Sequence, residues 1–302
     1  MKALNVLIDT DPGLDDAVGI LYALAVVRLN VEAITSVAGN IGITTTTRNV
    51  GSLLAAMGRS DIPYAAGALG PLDGPAIHEE GIHGADGLGG IILPAPITAP
   101  EGQPATTFLI AHLLAAPPGT LTVLALGPLT NLAHLAMAAP DAYTRIGRII
   151  AMGGTIDEPG NAGPHAEFNM AADPLAAHEV FASKVPVTLI PLDVTRKLRA
   201  TSEDLDRLAA MDTEAATLAA SLIGAYFAQN ADRASRPLHD PCVMLMALEP
   251  QLFGVQSIQL DVDSETHRGR LVSSPDGAII DVAMSIDAPG ALDMLWRGLG
   301  ES

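Results

Sequence analysis

An apolar run from Leu4 to Ile8 leads straight into Asp9-Thr10-Asp11-Pro12-Gly13-Leu14-Asp15-Asp16. Four carboxylates in eight residues, at the end of what reads as the first strand, are unfavourable on their own. Like charges held this close repel and raise one another's pKa unless a cation neutralises them. The simplest way to keep all of them ionised is a hard divalent metal with oxygen ligands, Ca²⁺ or Mg²⁺. Pro12 fixes one φ and Gly13 frees the next, so the chain can turn sharply and aim its carboxylates inward. A lone Asp here would be the N-cap of the following helix, and Asp15 or Asp16 can serve as that cap. Four of them after a buried-looking strand point instead to a metal or catalytic site, because ligands of open α/β sheets gather at strand carboxyl ends.

The remainder of the chain supplies a core large enough to hold such a turn. With 302 residues, 49% of them hydrophobic, disorder is excluded and residues 1–302 read as one domain. A net charge of -18 argues against nucleic acid, whose phosphates need Lys and Arg, and against an anionic membrane surface. The single Cys242 rules out an internal disulfide framework and fits a reducing compartment. With Pro241 before it and Val243-Met244-Leu245-Met246 after, it reads as core. No signal-peptide pattern precedes the first strand, and the apolar runs break short of the ~20 residues a membrane span needs. The expectation is a soluble, cytoplasmic protein.

Apolar β-rich runs alternate with Ala-rich helical stretches, the pattern of a mostly parallel sheet flanked by helices on both faces. Strands are predicted at 5–9, 31–37, 121–126, 148–152 and 187–190, and helices at 15–27, 44–57, 106–115, 129–138, 174–182 and 214–229. Asp173 at the N-cap and Pro174 at the first position make a sound helix start. The C-terminal segment reads as mixed, with short strands at 257–262, 268–273 and 277–282 and a closing helix at 288–297. The irregular region runs from Gly67 to Pro100, and its stretch from Gly81 to Gly90 is too glycine-dense to be helix or strand. A loop of this length in a compact domain is functional or mobile.

Further strand ends carry polar residues that a purely structural loop would not need: Asn40 after the second, Thr130-Asn131 after the third, and Asn161, Glu167 and Asn169 after the fourth. Taken singly, Asn40 reads as a left-handed turn residue and Asn131 as a helix cap. Asn161, Glu167 and Asn169 together offer an acid and two amides in nine residues, a set suited to sugar hydroxyls, with Phe168 between them for packing. Later, His239-Asp240-Pro241 sets an imidazole beside a carboxylate ahead of an apolar helix. There Asp240 can cap the helix and still turn one oxygen to a metal.

The block Asp9-Thr10-Asp11-Pro12-Gly13-Leu14-Asp15-Asp16-Ala17 closely resembles the signature of the inosine–uridine-preferring nucleoside hydrolases. Val37-Ala38-Gly39-Asn40, His83-Gly84, Gly127-Pro128-Leu129-Thr130-Asn131, Met152-Gly153-Gly154, Ala166-Glu167-Phe168-Asn169 with Asp173-Pro174, and His239-Asp240-Pro241 resemble the family's other segments, in order. The resemblance implies a Rossmann-like α/β fold, a homodimer or homotetramer, and Ca²⁺-dependent hydrolysis of ribonucleosides. By position, Asp11, Asp16, Asp240 and the Leu126 carbonyl would hold Ca²⁺, and Asp11 would take the proton from a Ca²⁺-bound water. Asp15 and Asn40 would bind the 2′-hydroxyl side of the ribose, Asn169 the 3′-hydroxyl with Asp240 nearby, and Asn161 and Glu167 the 5′-hydroxyl. Asp9 would orient the ligand loop from behind. His239 would protonate or orient the leaving base, with His83 on the glycine loop touching it from above, and Tyr226, Gln229 and Arg233 in the segment placed over it. In Thr195-Arg196-Lys197, Arg196 stands where many relatives carry His.

Two other readings bear on the same residues. Strand–Asp9-x-Asp11 also resembles the Mg²⁺-dependent haloacid-dehalogenase-type phosphatases, and Ser36 and Lys184 are available to that pattern. Gly13, however, replaces the Thr or Val expected there, and no late acidic pair follows a strand. A protein that binds nucleosides or Ca²⁺ without turnover is the other alternative, opposed by the full set of matching catalytic positions.

Overall fold

The structure is a computed structural model describing residues 3–229 and 233–301. Its strands are β1 (Leu4–Thr10), β2 (Leu29–Ser36), β3 (Tyr64–Ala66), β4 (Leu121–Ala125), β5 (Ile146–Met152), β6 (Val187–Ile190), β7 (Arg199–Thr201), β8 (Ser235–Pro237), β9 (Phe253–Asp263), β10 (Arg270–Ser273) and β11 (Ala278–Ile286). Among the described residues, nine of these form one sheet in the order β10-β9-β11-β6-β5-β4-β1-β2-β3, while β7 and β8 pair separately. From β3 across to β11 every pairing is parallel, and only the pairings of β9 with β11 and with β10 are antiparallel. The fold is therefore the expected Rossmann-like, mostly parallel α/β arrangement, with the mixed strands confined to the C-terminal segment.

Period-two alternation explains how a nearly unbroken apolar strand serves two cores. In β1, Val6 and Ile8 enter a core with Tyr22, Leu222 and Trp296, under the helices Leu14–Ala25, Glu214–Ala228 and Ala288–Leu299. Leu7 points the other way, into a core with Phe108, Leu132 and Phe181 from the helices Ala105–Ala115, Thr130–Ala138 and Pro174–Phe181. Chain order reverses between β1 and β4: β2 and β3 are laid down on one side of β1, and β4 to β6 on the other. At such a switch point the flanking connections diverge and a crevice opens beyond the strand carboxyl ends.

The predicted strands and long helices occur within a few residues of their expected bounds. Short elements were not legible: β3, β7, β8 and the single turns Glu80–His83, Pro140–Tyr143, Phe168–Ala172 and Leu192–Thr195 are too brief to show a period. The helix Ser202–Ala209 was also missed. Within the glycine-dense stretch, Glu80–His83 is a helical turn, which corrects the expectation of no helix there. Asn40 is not left-handed, since no described non-glycine residue has positive φ. None of the described helices is long and apolar enough to cross a membrane.

Asn131 is not a helix cap either. It lies within the helix Thr130–Ala138 and ties three segments together: its amide donates to Asp9 Oδ1 (2.7 Å) and the Ser36 carbonyl (2.9 Å), and its oxygen accepts from the Ala68 N–H (2.9 Å). The bonds to Asp9 and Ser36 are buried and that from Ala68 is part-buried, so Asn131→Ala strands polar groups rather than removing a contact. With roughly 1–3 kcal/mol for each group left unsatisfied, the variant is expected to lose about 3 kcal/mol or more in urea unfolding; a loss below about 1 kcal/mol would show that water replaces the side chain.

Candidate active site

The crevice beyond β1 and β4 opens into a small cleft whose wall includes Asp15, Asn40, Leu126, Asn169 and Asp240. Beneath it runs the acidic turn. Asp16 is held by the Thr10 hydroxyl at 2.8 Å, the Gly13 N–H at 3.0 Å and the Asn40 side-chain amide at 3.0 Å. The N-cap position belongs to Gly13, and Asp16 reaches back to it from the third helical residue. This corrects the expectation that Asp15 or Asp16 is itself the cap.

Asp11 is enclosed more tightly. Its Oδ2 accepts from the Asn40 N–H at 2.6 Å, while its buried Oδ1 has no hydrogen-bond partner in the structure. A Cβ on Gly39 or Gly127 would overlap this carboxyl group, so both glycines act as walls around it. One oxygen each from Asp15, Asp16 and Asp240 lies within 4.8 Å of the others, close enough to hold a metal ion together. Asp240 stands at the N-cap position of the helix Pro241–Leu248 but makes no capping hydrogen bond. Its carboxylate is directed to the cluster instead, so the expected double duty is not observed.

Burial, and then the neighbouring charge of Asp16, pushes Asp11 well above the usual carboxylate range. Asp240 is raised likewise by burial and by Asp16, Asp15 and Asp11; Asp16 is raised by burial and Asp15. An all-oxygen set with an unpartnered buried acceptor is the chemistry that a hard divalent cation completes. Behind it, Asp9 accepts from Thr35 Oγ1 at 2.5 Å as well as from Asn131, and burial lifts it to about 6.

The cleft wall brings together residues from the segments that follow β1, β2, β3, β4, β5 and β8. Asn40, Leu126, Asn161, Glu167, Asn169, His83, His239, Asp15 and Asp240 all line it, while Asp11 and Asp16 lie below its surface. Both N–H groups of the Asn40 amide are used on the turn, toward Asp16 Oδ2 and the Asp11 carbonyl (3.2 Å), leaving its oxygen to face a ligand. Asn169 donates to the Leu126 carbonyl at 2.7 Å and to the Met152 carbonyl at 3.2 Å. The predicted carbonyl ligand thus already receives one hydrogen bond and keeps its second lone pair. Glu167 caps the turn Phe168–Ala172, accepting from Asn169 and Met170, and also takes the Gly154 N–H at 2.9 Å. Burial lifts it to about 7 against the pull of these donors. Asn161 Oδ1 accepts from the Phe168 N–H at 2.8 Å, so its NH₂ remains to donate. Phe168, expected only to pack, is a lining residue as well.

Of the two imidazoles, His83 is buried at 6% exposure and not presented on an open glycine loop. Its Nδ1 accepts from the Leu14 N–H at 3.0 Å, which leaves the proton of a neutral ring on Nε2. Gly13 has no side chain because His83 lies where its Cβ would be. His239 is hydrogen-bonded through Nδ1 to Thr195 Oγ1 at 2.7 Å, and burial lowers its pKa. Tyr226 lines the cleft, its ring 6.4 Å from His83 and covered by the Arg236 guanidinium at 4.8 Å. Gln229 and Arg233 line an adjoining cavity rather than the cleft, and Asn230, Ala231 and Asp232 of the same predicted segment lie outside the described residues. Sequence reasoning missed Glu79, Asp193 and Thr195. The latter two sit just past the carboxyl end of β6, the same signal that marked the other strand ends, whereas Glu79 lies in an aperiodic stretch that offers none.

A Rossmann-order sheet with an amide-lined, acid-floored cleft at its switch point defines an α/β enzyme for a small polar ligand. The profile of the inosine-uridine preferring nucleoside hydrolases matches residues 6–293. A pyrimidine-specific ribonucleoside hydrolase RihA from Citrobacter koseri is 38% identical over 308 residues, covering 98% of each chain. The RihA of an Escherichia coli strain is 41% identical over 255 residues, 83% of this chain and 81% of its own. Among solved structures, the plant nucleoside hydrolase PpNRh1 superposes with a TM-score of 0.92 at 29% identity, covering 99% of both chains. A purine-preferring ribonucleoside hydrolase from Gardnerella vaginalis gives 0.91 at 27%, covering 98% of both. The chain belongs to the inosine-uridine preferring nucleoside hydrolase family and is an N-glycosyl hydrolase of ribonucleosides. The phosphatase and binding-only readings find no support.

The glycine walls yield a direct test. Gly39→Ala sets a methyl group against Asp11 Oδ2 and Pro128, and a displaced reacting group can cost about 10²-fold in rate. Steady-state kinetics should therefore show a loss of that order with a melting temperature only a few degrees lower. Parental kcat would mean that Asp11 has room to move.

Proposed function

We propose that this chain cleaves ribonucleosides to free base and ribose with Ca²⁺ held by Asp11, Asp16, Asp240 and the Leu126 carbonyl. Two observations support the metal assignment: Asp11 Oδ1 is buried and unpartnered, and Asp16 and Asp240 converge in one group of carboxylates, whose third member is Asp15 rather than Asp11. When bound, Ca²⁺ supplies Lewis acidity that lowers the pKa of a coordinated water and holds that water for attack. Asp11, its other oxygen fixed by the Asn40 N–H, accepts the proton of the attacking water. Asp15 and Asn40 grip the 2′-hydroxyl side, Asn169 the 3′-hydroxyl, and Asn161 and Glu167 the 5′-hydroxyl. As the N-ribosidic bond breaks, the sugar gains oxocarbenium character, and the surrounding carboxylates stabilise that charge where it forms. Electrons of the broken bond leave with the base. His239, with Nδ1 engaged by Thr195, and His83, with its proton on Nε2, are the donors that meet it.

The base is proposed to be a pyrimidine, supported by the names of the RihA relatives at 38% and 41% identity. Residues 1–302 are proposed as one domain, supported by a family match from 6 to 293 and a single main sheet. The chain is proposed to act in the cytoplasm as a homodimer or homotetramer. Exposed Leu69 and Ile97, which share a cavity wall with Tyr64 and Ala66 of β3, support such an interface.

Ribose release from inosine, adenosine, guanosine, uridine and cytidine, with and without a Ca²⁺ chelator, tests the activity, the metal and the base together. Chelator-sensitive release favouring uridine and cytidine is expected, with 2′-deoxyribosides slower by roughly 10⁴ where the site is built around that hydroxyl. Release untouched by chelation would remove Ca²⁺ from the assignment. Asp11→Asn is expected to cut kcat by about 10²–10⁴-fold with the fold intact by circular dichroism, and near-parental turnover would remove Asp11 as the base.

A further inference from the structure

One helical turn, Leu192–Thr195, follows β6 and sends side chains to both sides of the cleft. Thr195 reaches His239, as described above. Asp193 points to the loop after β5 and accepts the N–H groups of Ile156 (2.8 Å), Asp157 (2.7 Å) and Glu158 (3.1 Å), together with the Thr155 hydroxyl (3.2 Å). Arg196, immediately beyond the turn, takes the opposite polarity of the same loop. Its guanidinium donates to the carbonyls of Pro159 (2.7 Å) and Gly160 (3.3 Å) and to Glu158 Oε2 (3.1 Å). An anion thus gathers the donors of residues 155–158 and a cation the acceptors of 158–160.

The next residue is Asn161. Gly160 turns so sharply that a Cβ there would overlap the Ala166 carbonyl, and the N–H of Asn161 is accepted by that carbonyl at 3.1 Å. Loop 160–166 thus closes on itself; Asn161 Oδ1 at the Phe168 N–H and His165 against His267 tie its far side, and the Arg196 clamp holds its entry. We infer that Arg196 is a positioning residue for the 5′ end of the ribose: by holding the Pro159 and Gly160 carbonyls it sets Asn161 at the cleft wall. This rests on the reading of the cleft as a ribonucleoside site with Asn161 at the 5′-hydroxyl. It also accounts for an Arg at this position, since a planar guanidinium can span several acceptors where an ammonium acts as a point charge. Glu158 contributes less to the clamp, because its side chain is 48% exposed and that ion pair faces water.

The test compares kcat/KM for uridine and 5′-deoxyuridine in the parent, Arg196→Ala, Arg196→Lys and Glu158→Gln, alongside melting temperatures. Arg196→Ala is expected to lose about 10–100-fold on uridine, the scale of a misplaced contact, but no more than about 3-fold on 5′-deoxyuridine, which has no hydroxyl to lose. Arg196→Lys should fall between, and serves if the alanine variant does not fold. Glu158→Gln should stay within about 2-fold of the parent. Equal losses on the two nucleosides would overturn the assignment and show that Arg196 acts on the leaving group through His239 or on the fold at large. Parental values on both would overturn it too. A parent inactive on every riboside would instead bring down the hydrolase reading, a failure visible before any variant is compared.

Discussion

Burial of like charges at the switch point is the constraint on which the rest of this structure depends. Asp11, Asp16 and Asp240 are nearly inaccessible, and each is disfavoured in its ionised form by desolvation and by at least one neighbouring carboxylate. Ionised groups can be kept in such a place only by hydrogen bonds and a counter-charge. The structure supplies the hydrogen bonds itself. Thr10, the Gly13 N–H and both the backbone and side chain of Asn40 converge on the turn, and Asn131 anchors Asp9 beneath it. The counter-charge is left to a cation, which makes the metal part of the stability of the site as well as of its chemistry.

This requirement explains why so many glycines and amides stand where connections leave the sheet. Gly39 and Gly127 allow two backbones to close on one carboxylate, and Gly13 lets His83 settle over the start of the first helix. The amides of Asn40, Asn161 and Asn169 each spend part of their capacity on backbone groups. Such bonds fix the orientation of what remains, and the remaining donor or acceptor is the part available to a ligand in the cleft. A cleft organised this way is largely preorganised, which is where positional catalysis draws its rate.

Legibility followed spacing. The acidic turn was readable because its four Asp residues, Pro12 and Gly13 are neighbours in the chain, and the long helices because their period repeats. His239-Asp240-Pro241 was readable for the same reason. What failed were elements too short to repeat and residues whose partner is far away in sequence. The turn Leu192–Thr195 shows no period, and nothing in Leu192-Asp193-Val194-Thr195 announces that Asp193 holds residues 156–158 or that Thr195 meets His239. Asn131 looked like a local cap because its true partners, Asp9, Ser36 and Ala68, come from other segments.

The amino-acid sequence by itself determined the α/β class, the parallel sheet, the acidic metal-seeking turn and the family. These reside in local composition, periodicity and contiguous motifs, which survive without knowledge of what packs on what. Only the tertiary structure decided which oxygen is left unpartnered, which amide hydrogens are already used and which histidine nitrogen carries its proton. It alone revealed that one turn after β6 braces both the loop after β5 and His239. Those properties depend on hydrogen bonds between segments tens to hundreds of residues apart, and their geometry exists only once the sheet has brought the strand ends together.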